Sequence, residues 1–339
     1  MSSTIIFPAQ PEQILKGLGK LWTSLGEEEK QHGKPTVLRA CAMTLIVATD
    51  EADAGFAASQ TISELMHEHP ARGIVLAVSP DAENDLQARV LAQCWKPFGK
   101  AQQICCEQIE ITAKPGNWQN AAPTLAGLTA ADLPVIFWCR HQGALKKDPA
   151  PCDKEGLEAI AKLATKLIID TAGMAAADGI DLIAKWQGEG KLVADLEWTR
   201  LTPWREPLAH VFDNAARENK LSNFSSLEIE HTEEKPPMQA LYLAGWLSAP
   251  YKAAVKFRSA SGFGTGIQRV SFRSDTEIIE FERTSADCVT LWTTSGRERK
   301  YSFGQASITA LMTEELAVAG YDAAFNAALA RARELVARG

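Results

Sequence analysis

Apolar residues recur at helical spacing near the start of the chain. Ile14, Leu15, Leu18, Leu21, Trp22 and Leu25 predict an entry helix within residues 1–35, and the polar stretch from Glu27 to Lys34 breaks its pattern. Residues 36–50 read as a strand whose end, Leu45-Ile46-Val47-Ala48, is continuously apolar, as in a strand covered on both faces. A helix is predicted from about Asp53 to His67, and residues 71–78 read as a second buried strand. Strand, helix and strand with short joints define a parallel β-α-β unit with a right-handed crossover. Residues 88–95 and 103–112 fit strands about the turn Pro97-Phe98-Gly99, with a helix over 86–95 as the alternative. Residues 125–131 read as a short helix, and Asp132-Leu133-Pro134 leads into the apolar strand 135–139. The polar run from Arg140 to Asp153 holds one Gly and two Pro and is the best candidate for a long loop or domain joint. A helix over 154–165, a strand over 167–170 and a helix over 174–186 continue the alternation.

After Leu192 the pattern changes. A helix places Leu208, Val211, Phe212 and Ala215 at i, i+3, i+4 and i+7. Residues 227–231 alternate as a half-buried strand does, and 238–247 form an apolar helix. Strands then follow in series at 255–258, 268–273, 277–283, 288–293 and 299–303, with tight turns such as Ser274-Asp275-Thr276 and Thr294-Ser295-Gly296. Consecutive strands with tight turns predict an antiparallel meander, and their charged outward positions predict one wet face. A last helix carries Phe325, Leu329, Ala332, Leu335 and Val336 on one stripe. The expected fold class is α/β: an N-terminal Rossmann-like mixed sheet with helices over residues 1–150, and a C-terminal α+β domain with an antiparallel meander over 151–339.

The 339 residues suffice for two domains. Net charge is −7 with both signs interspersed, so no basic run suggests a nucleic-acid or anionic-membrane partner. No stretch of about 18 apolar residues occurs, and the N-terminus lacks a signal-peptide pattern, so a cytoplasmic chain with no membrane association is expected. Seven cysteines (41, 94, 105, 106, 139, 152 and 288) without a C-x-x-C pair do not read as a disulfide framework or a zinc ribbon. Vicinal Cys105 and Cys106 point to opposite faces if they lie in a strand, leaving one buried and the other as an exposed thiol open to a redox role.

Familiar catalytic signatures are absent. Gly262-Phe263-Gly264-Thr265-Gly266 has its third glycine one place too early for a dinucleotide fingerprint and precedes a strand, so it reads as a flexible loop, with ligand or partner contact as the lesser alternative. His67 and His69 have no third ligand at metal spacing, and His210 reads as a helix-surface residue. Glu228 with Glu230, and Glu280 with Glu282, read as solvated strand faces. There is no G-x-S-x-G elbow, Walker loop or kinase signature. Neither metal nor cofactor is called for.

Residues 195–213 stand out. Trp198, Thr199, Arg200, Leu201, Thr202, Pro203, Trp204 and Arg205 bring two indoles and two guanidiniums together around a proline. Trp and Arg are enriched at binding hot spots, and Arg stacks on Trp or grips a carboxylate. The alternative is a domain-core corner with Trp packed and Arg paired internally. Thr202 before Pro203 suits an N-cap followed by the first helical position.

The stretch D-L-x-W-T-R-L-T-P-W-R-E closely resembles the signature of the OpcA family of glucose-6-phosphate dehydrogenase assembly proteins. Further pieces agree in order: Arg39-Ala40-Cys41, His69-Pro70-Ala71-Arg72, Cys106-Glu107-Gln108-Ile109, Asp132-Leu133-Pro134 with Trp138, and Leu243-Ala244-Gly245-Trp246-Leu247. The resemblance covers roughly residues 20–250. Pro207, where an apolar helix residue is expected, should delay or kink the helix start, and Cys139 stands where a second Trp is common. The resemblance implies a non-catalytic protein that binds glucose-6-phosphate dehydrogenase and promotes its active oligomer in the oxidative pentose phosphate pathway, with thioredoxin as a further partner in some relatives. Trp198, Thr199, Arg200, Thr202, Trp204 and Arg205 are its candidate partner-binding or domain-organising residues. The alternatives are a sugar-phosphate or nucleotide-binding enzyme using Arg200 or Arg205 and the 262–266 loop, and a redox adaptor using Cys105 or Cys106.

Overall fold

The computed structural model describes residues 6–32, 37–50, 54–80, 82, 86–100, 102–217, 224–248, 254–275, 277–294, 296 and 298–338. The chain forms two compact units, residues 1–170 with 186–194 and residues 171–185 with 195–339.

The first unit is built on a nine-stranded sheet. Its strands are β1 (Ile6–Pro8), β2 (Val37–Arg39), β3 (Met43–Thr49), β4 (Ala71–Val78), β5 (Leu86–Trp95), β6 (Gln103–Ala113), β7 (Val135–Arg140), β8 (Lys166–Ile169) and β9 (Leu192–Asp195). Their order is β1-β5-β6-β4-β3-β7-β8-β9, with β2 added beside β6. The pairs β3–β4, β3–β7, β4–β6 and β7–β8 are parallel, whereas β5 runs antiparallel to β6 and to β1. Every residue of β3 is buried, as its unbroken apolar run predicts. The helix Ala54–Leu65 packs on β4 so closely that a Cβ on Gly73 would lie 2.6 Å from Cγ2 of Ile62.

Several elements differ from the sequence reading. Residues 37–50 hold two strands, because Ala40 donates its amide to Cys105 and Ala42 donates to Pro70, which moves the chain from one neighbour to another. Residues 86–95 are the expected strand, and the helical alternative falls away. The polar run 140–153 is largely ordered: it holds the short helix Gln142–Leu145 and the start of the helix Pro151–Ala161, whose first residue is the proline that suits that place. Strand β9 was not anticipated. The first helix, Pro11–His32, continues through much of the predicted polar break.

The second unit carries a six-stranded sheet: β10 (Ser226–His231), β11 (Ala254–Ser259), β12 (Ile267–Arg273), β13 (Ile278–Ser285), β14 (Cys288–Thr293) and β15 (Arg299–Ser302). The order is β11-β10-β12-β13-β14-β15. β12 to β15 form the expected antiparallel meander. β11 does not join it as a consecutive strand. It lies parallel to β10, and the apolar helix Met238–Ser248 is the crossover that a parallel pair requires. Ile229, Val270, Phe281 and Leu291 stand in register across four strands and form one row of the core. The turn residues Thr276 and Ser295 lie outside the described residues. Pro207 neither delays nor displaces the helix Thr202–Arg217, which accommodates it at the loss of one backbone bond, the one to Pro203.

Two helices of this unit, Met238–Ser248 and Ala323–Arg338, cross at a point that only glycine permits. A Cβ on Gly245 would lie 2.3 Å from the carbonyl oxygen of Ala328. Backbone cannot rotate away as a side chain does, so Gly245→Ala should destabilise the protein by about 1–3 kcal/mol. Urea unfolding checks this, and an unchanged midpoint would contradict the tight crossing.

Candidate functional site

The segment after β9 turns twice within a few residues. Asp195 caps the short helix Leu196–Thr199 by accepting from the Glu197 amide at 3.1 Å. Fully buried, it also accepts from the Thr171 amide (3.1 Å), the Thr171 hydroxyl and the Tyr242 hydroxyl (2.8 Å). Burial pushes its pKa up to about 6, against the opposing pull of those four donors.

Trp198 and Trp204 are both buried, at 3% and 2% exposure. The Trp198 indole Nε1 donates to Asp322 Oδ2 at 3.0 Å, and its ring meets Tyr242 edge-on at 6.2 Å and Phe325 at 5.9 Å. The Arg205 guanidinium lies 4.1 Å from the Trp198 ring centroid and donates to Thr202 Oγ1 at 2.7 Å. Its burial lowers its pKa, which Glu314, Asp322 and Glu315 oppose. Thr199 donates to Glu315 at 2.9 Å, and Thr202 donates to Glu314. Trp204 packs edge-on against Phe303 with centroids 5.1 Å apart. Arg200 is paired with Glu197 at 2.6 Å, and Gln239 donates to the same carboxylate at 3.3 Å.

All six candidate residues therefore converge on one corner inside the second unit, with their partners on the helices Met238–Ser248, Ile308–Ala317 and Ala323–Arg338 and in the residues that lead into them. Thr202 is the first residue of its helix rather than a side-chain cap, because its hydroxyl is directed to Glu314. Asp195, Tyr242, Glu315 and Asp322 were not singled out from sequence. Asp195 heads the Trp-Thr-Arg block and carried a visible signal; the other three are distant in the chain and carried none.

The corner borders a cleft of about 1160 Å³ contained in this unit, lined by Glu197, Arg200 and Trp204 and also by Thr265 and Gly266. In the glycine loop that reaches it, the amides of Phe263 and Gly266 are turned to side chains of this unit. Gly266 donates to Thr232 (3.0 Å) and Glu233 (2.8 Å), and Phe263 donates to Gln268 (2.7 Å).

The cysteine expectation needs correction. Cys105 and Cys106 do point to opposite faces of β6, but both are fully buried. Cys105 forms a disulfide with Cys94, which stands directly opposite it in the antiparallel β5–β6 register with Cα atoms 4.1 Å apart. Cys106 is a free thiol whose pKa burial raises to about 11, so neither is the exposed thiol expected. Glu230 likewise departs from a solvated face: it is buried and holds Arg269 in a two-pronged pair at 2.6 and 3.1 Å. His67 is exposed beside Trp95, and among the described residues no three His, Cys, Asp or Glu side chains gather as a metal site. No helix among them is long and apolar enough to cross a membrane.

A parallel-cored α/β unit followed by a mixed-sheet α+β unit with a Trp–Arg corner defines the class of protein. Residues 62–184 match the family model described as the glucose-6-phosphate dehydrogenase subunit N-terminal domain, and residues 191–329 match the corresponding C-terminal domain. The chain belongs to the OpcA family of glucose-6-phosphate dehydrogenase assembly proteins. Relatives provisionally named as OxPP cycle protein OpcA agree. That of Nostoc punctiforme is 26% identical over 79% of this chain and 62% of its own length. That of Synechocystis sp. is 26% identical over 53% of this chain and 37% of its own. The chain thus spans less than two thirds of these relatives. Among solved structures, an oxidoreductase domain protein from Kribbella flavida aligns over 88% of this chain and 96% of its own at 10% identity and a TM-score of 0.46. An oxidoreductase from Sinorhizobium meliloti aligns over 88% and 90% at 10% identity and 0.41. Both likenesses are too loose to bear on function.

Two outcomes follow for the corner. Trp198→Phe keeps the apolar ring but removes the bond to Asp322 and weakens the seat of Arg205, and should cost about 1–3 kcal/mol in urea unfolding; a cost near zero would contradict the corner. The second concerns pH. Because the folded pKa of Asp195 lies above its ordinary value of 3.8, its contribution to stability is present below about pH 4 and is lost as pH rises through about 6. The stability difference between wild type and Asp195→Asn should fall across that window by roughly 3 kcal/mol at most. A flat difference curve from thermal melts would contradict the raised pKa.

Proposed function

We propose that this protein binds glucose-6-phosphate dehydrogenase and raises its activity by favouring its active oligomer, performing no chemistry itself. The observation that carries this reading is the match of both domains of the dehydrogenase-subunit family, in order, across residues 62–329. The names of the Nostoc and Synechocystis relatives, which refer to the OxPP cycle, support the same pathway.

The corner geometry supports an organising role for Trp198, Thr199, Arg200, Thr202, Trp204 and Arg205. Apart from the buried Nε of Arg205, which makes no hydrogen bond, the polar and stacking groups described above meet neighbours in the same unit, so the block would act by fixing the shape of that unit, and the contact with the dehydrogenase would lie elsewhere on the surface. It also counts against a sugar-phosphate enzyme using Arg200 or Arg205, since one guanidinium is held by Glu197 and the other by Thr202 and the Trp198 ring.

Mechanistically, a partner that binds the active form of an enzyme more tightly than its inactive forms shifts the equilibrium by that difference. Couplings of about 1–3 kcal/mol, or roughly 5–150-fold in apparent affinity, are typical. Adding the purified chain to its cognate dehydrogenase should therefore lower the substrate concentration for half-maximal rate within that range and saturate with added protein. An unchanged rate curve at saturating protein would contradict the proposal.

A further inference from the structure

One charged side chain of the second unit is placed unlike the others. Along β13 the residues facing the core are Ile279, Phe281 and Arg283, the last at 8% exposure. An arginine at an inward strand position is rare unless a carboxylate meets it, because a buried charge is costly when unpaired. Arg269 has Glu230, Arg200 has Glu197, and Arg205 reaches Glu314. Arg283 has no carboxylate within ion-pair distance among the described residues. Its guanidinium lies over the Phe303 ring, 5.1 Å from the centroid. Nη2 donates to the Ala286 carbonyl at 3.2 Å and Nη1 to the Thr265 carbonyl at 3.5 Å, while Nε is buried with no partner. Guanidinium carries five N–H donors, so two neutral carbonyls and one ring leave much of its hydrogen-bonding capacity unmet and its charge without a counter-ion.

Arg283 lines the 1160 Å³ cleft. Glu233 lines it too. Its Oε1 is fixed by the Gly266 amide at 2.8 Å, whereas its buried Oε2 makes no hydrogen bond and lies 3.9 Å from His231 Nδ1. The cleft wall thus presents a cation without a carboxylate in ion-pair distance and a carboxylate oxygen without a hydrogen bond, the first held at Thr265 and the second at the adjacent Gly266.

We propose that this cleft is a binding site for a small hydroxylated oxyanion, whose carboxylate or phosphate takes hydrogen bonds from Arg283 and whose hydroxyl donates to Glu233. The planar fork of arginine matches either oxyanion. The volume is ample for a metabolite-sized ligand with its bound water. The site does not depend on the assembly role proposed above, since ligand binding is measured on the chain alone.

Glycerate and glycerol 3-phosphate carry the two oxyanions on similar three-carbon bodies, and glycerol is the uncharged control. Titration of the full chain at fixed ionic strength, followed by calorimetry, should show saturable binding of at least one of the two and none of glycerol. Binding of glycerate alone identifies the carboxylate as the recognised group, and binding of glycerol 3-phosphate alone identifies the phosphate. Arg283→Met should weaken binding by about tenfold or more. Should that variant fail to fold, hydrogen exchange on the wild type decides: the bound ligand should protect residues 262–268 and 280–286. No binding of either anion, undiminished binding by a folded Arg283→Met, glycerol binding as tightly as the anions, or protection confined to other segments would each overturn the site.

Discussion

The second unit depends on how one indole is held. Trp198 is enclosed by a carboxylate at its Nε1, a guanidinium over its face, and two further aromatic rings beside it. These contacts tie the short helix that Asp195 starts to the helix that follows it and to two helices far along the chain. Asp195 is the other fixed point, since its carboxylate gathers Thr171, the Glu197 amide and Tyr242. A buried carboxylate with four donors is a demanding arrangement: each donor left without it would be an unsatisfied polar group in a dry place. Charge, ring and hydrogen bond therefore set one geometry, from which the neighbouring cleft takes its wall.

Much of the first unit was legible because its strands are long apolar runs that need no tertiary information. β3, β4 and β7 could be read directly, and the β12–β15 meander followed from alternation and turn residues. Features that depend on pairing could not be read. The Cys94–Cys105 disulfide requires the β5–β6 register, and the parallel seat of β11 requires knowing that the preceding helix is a crossover. β9 is only four residues long, too short for a pattern of its own to show. Pro207 misled because propensity is a local rule, while the helix that contains it is held by Trp204 and Phe212 in the core.

The candidate residues were legible as types but not as a location. Two Trp and two Arg around a proline fit an exposed hot spot and a buried corner equally well in composition. What separates the two is whether acidic partners come from the same chain, and Glu314, Glu315 and Asp322 lie far downstream. Arg283 carried a readable signal that alternation alone reveals: a cation at the position where Ile279 and Phe281 predict another core residue.

Family membership is the ground of the proposal that this protein holds glucose-6-phosphate dehydrogenase in its working form. Mass photometry of the cognate dehydrogenase at low nanomolar concentration, alone and with this protein, tests that claim most directly. The account predicts that the dehydrogenase moves to a larger oligomer whose mass includes this chain. Two unshifted, separate populations at every ratio of the two proteins would contradict it.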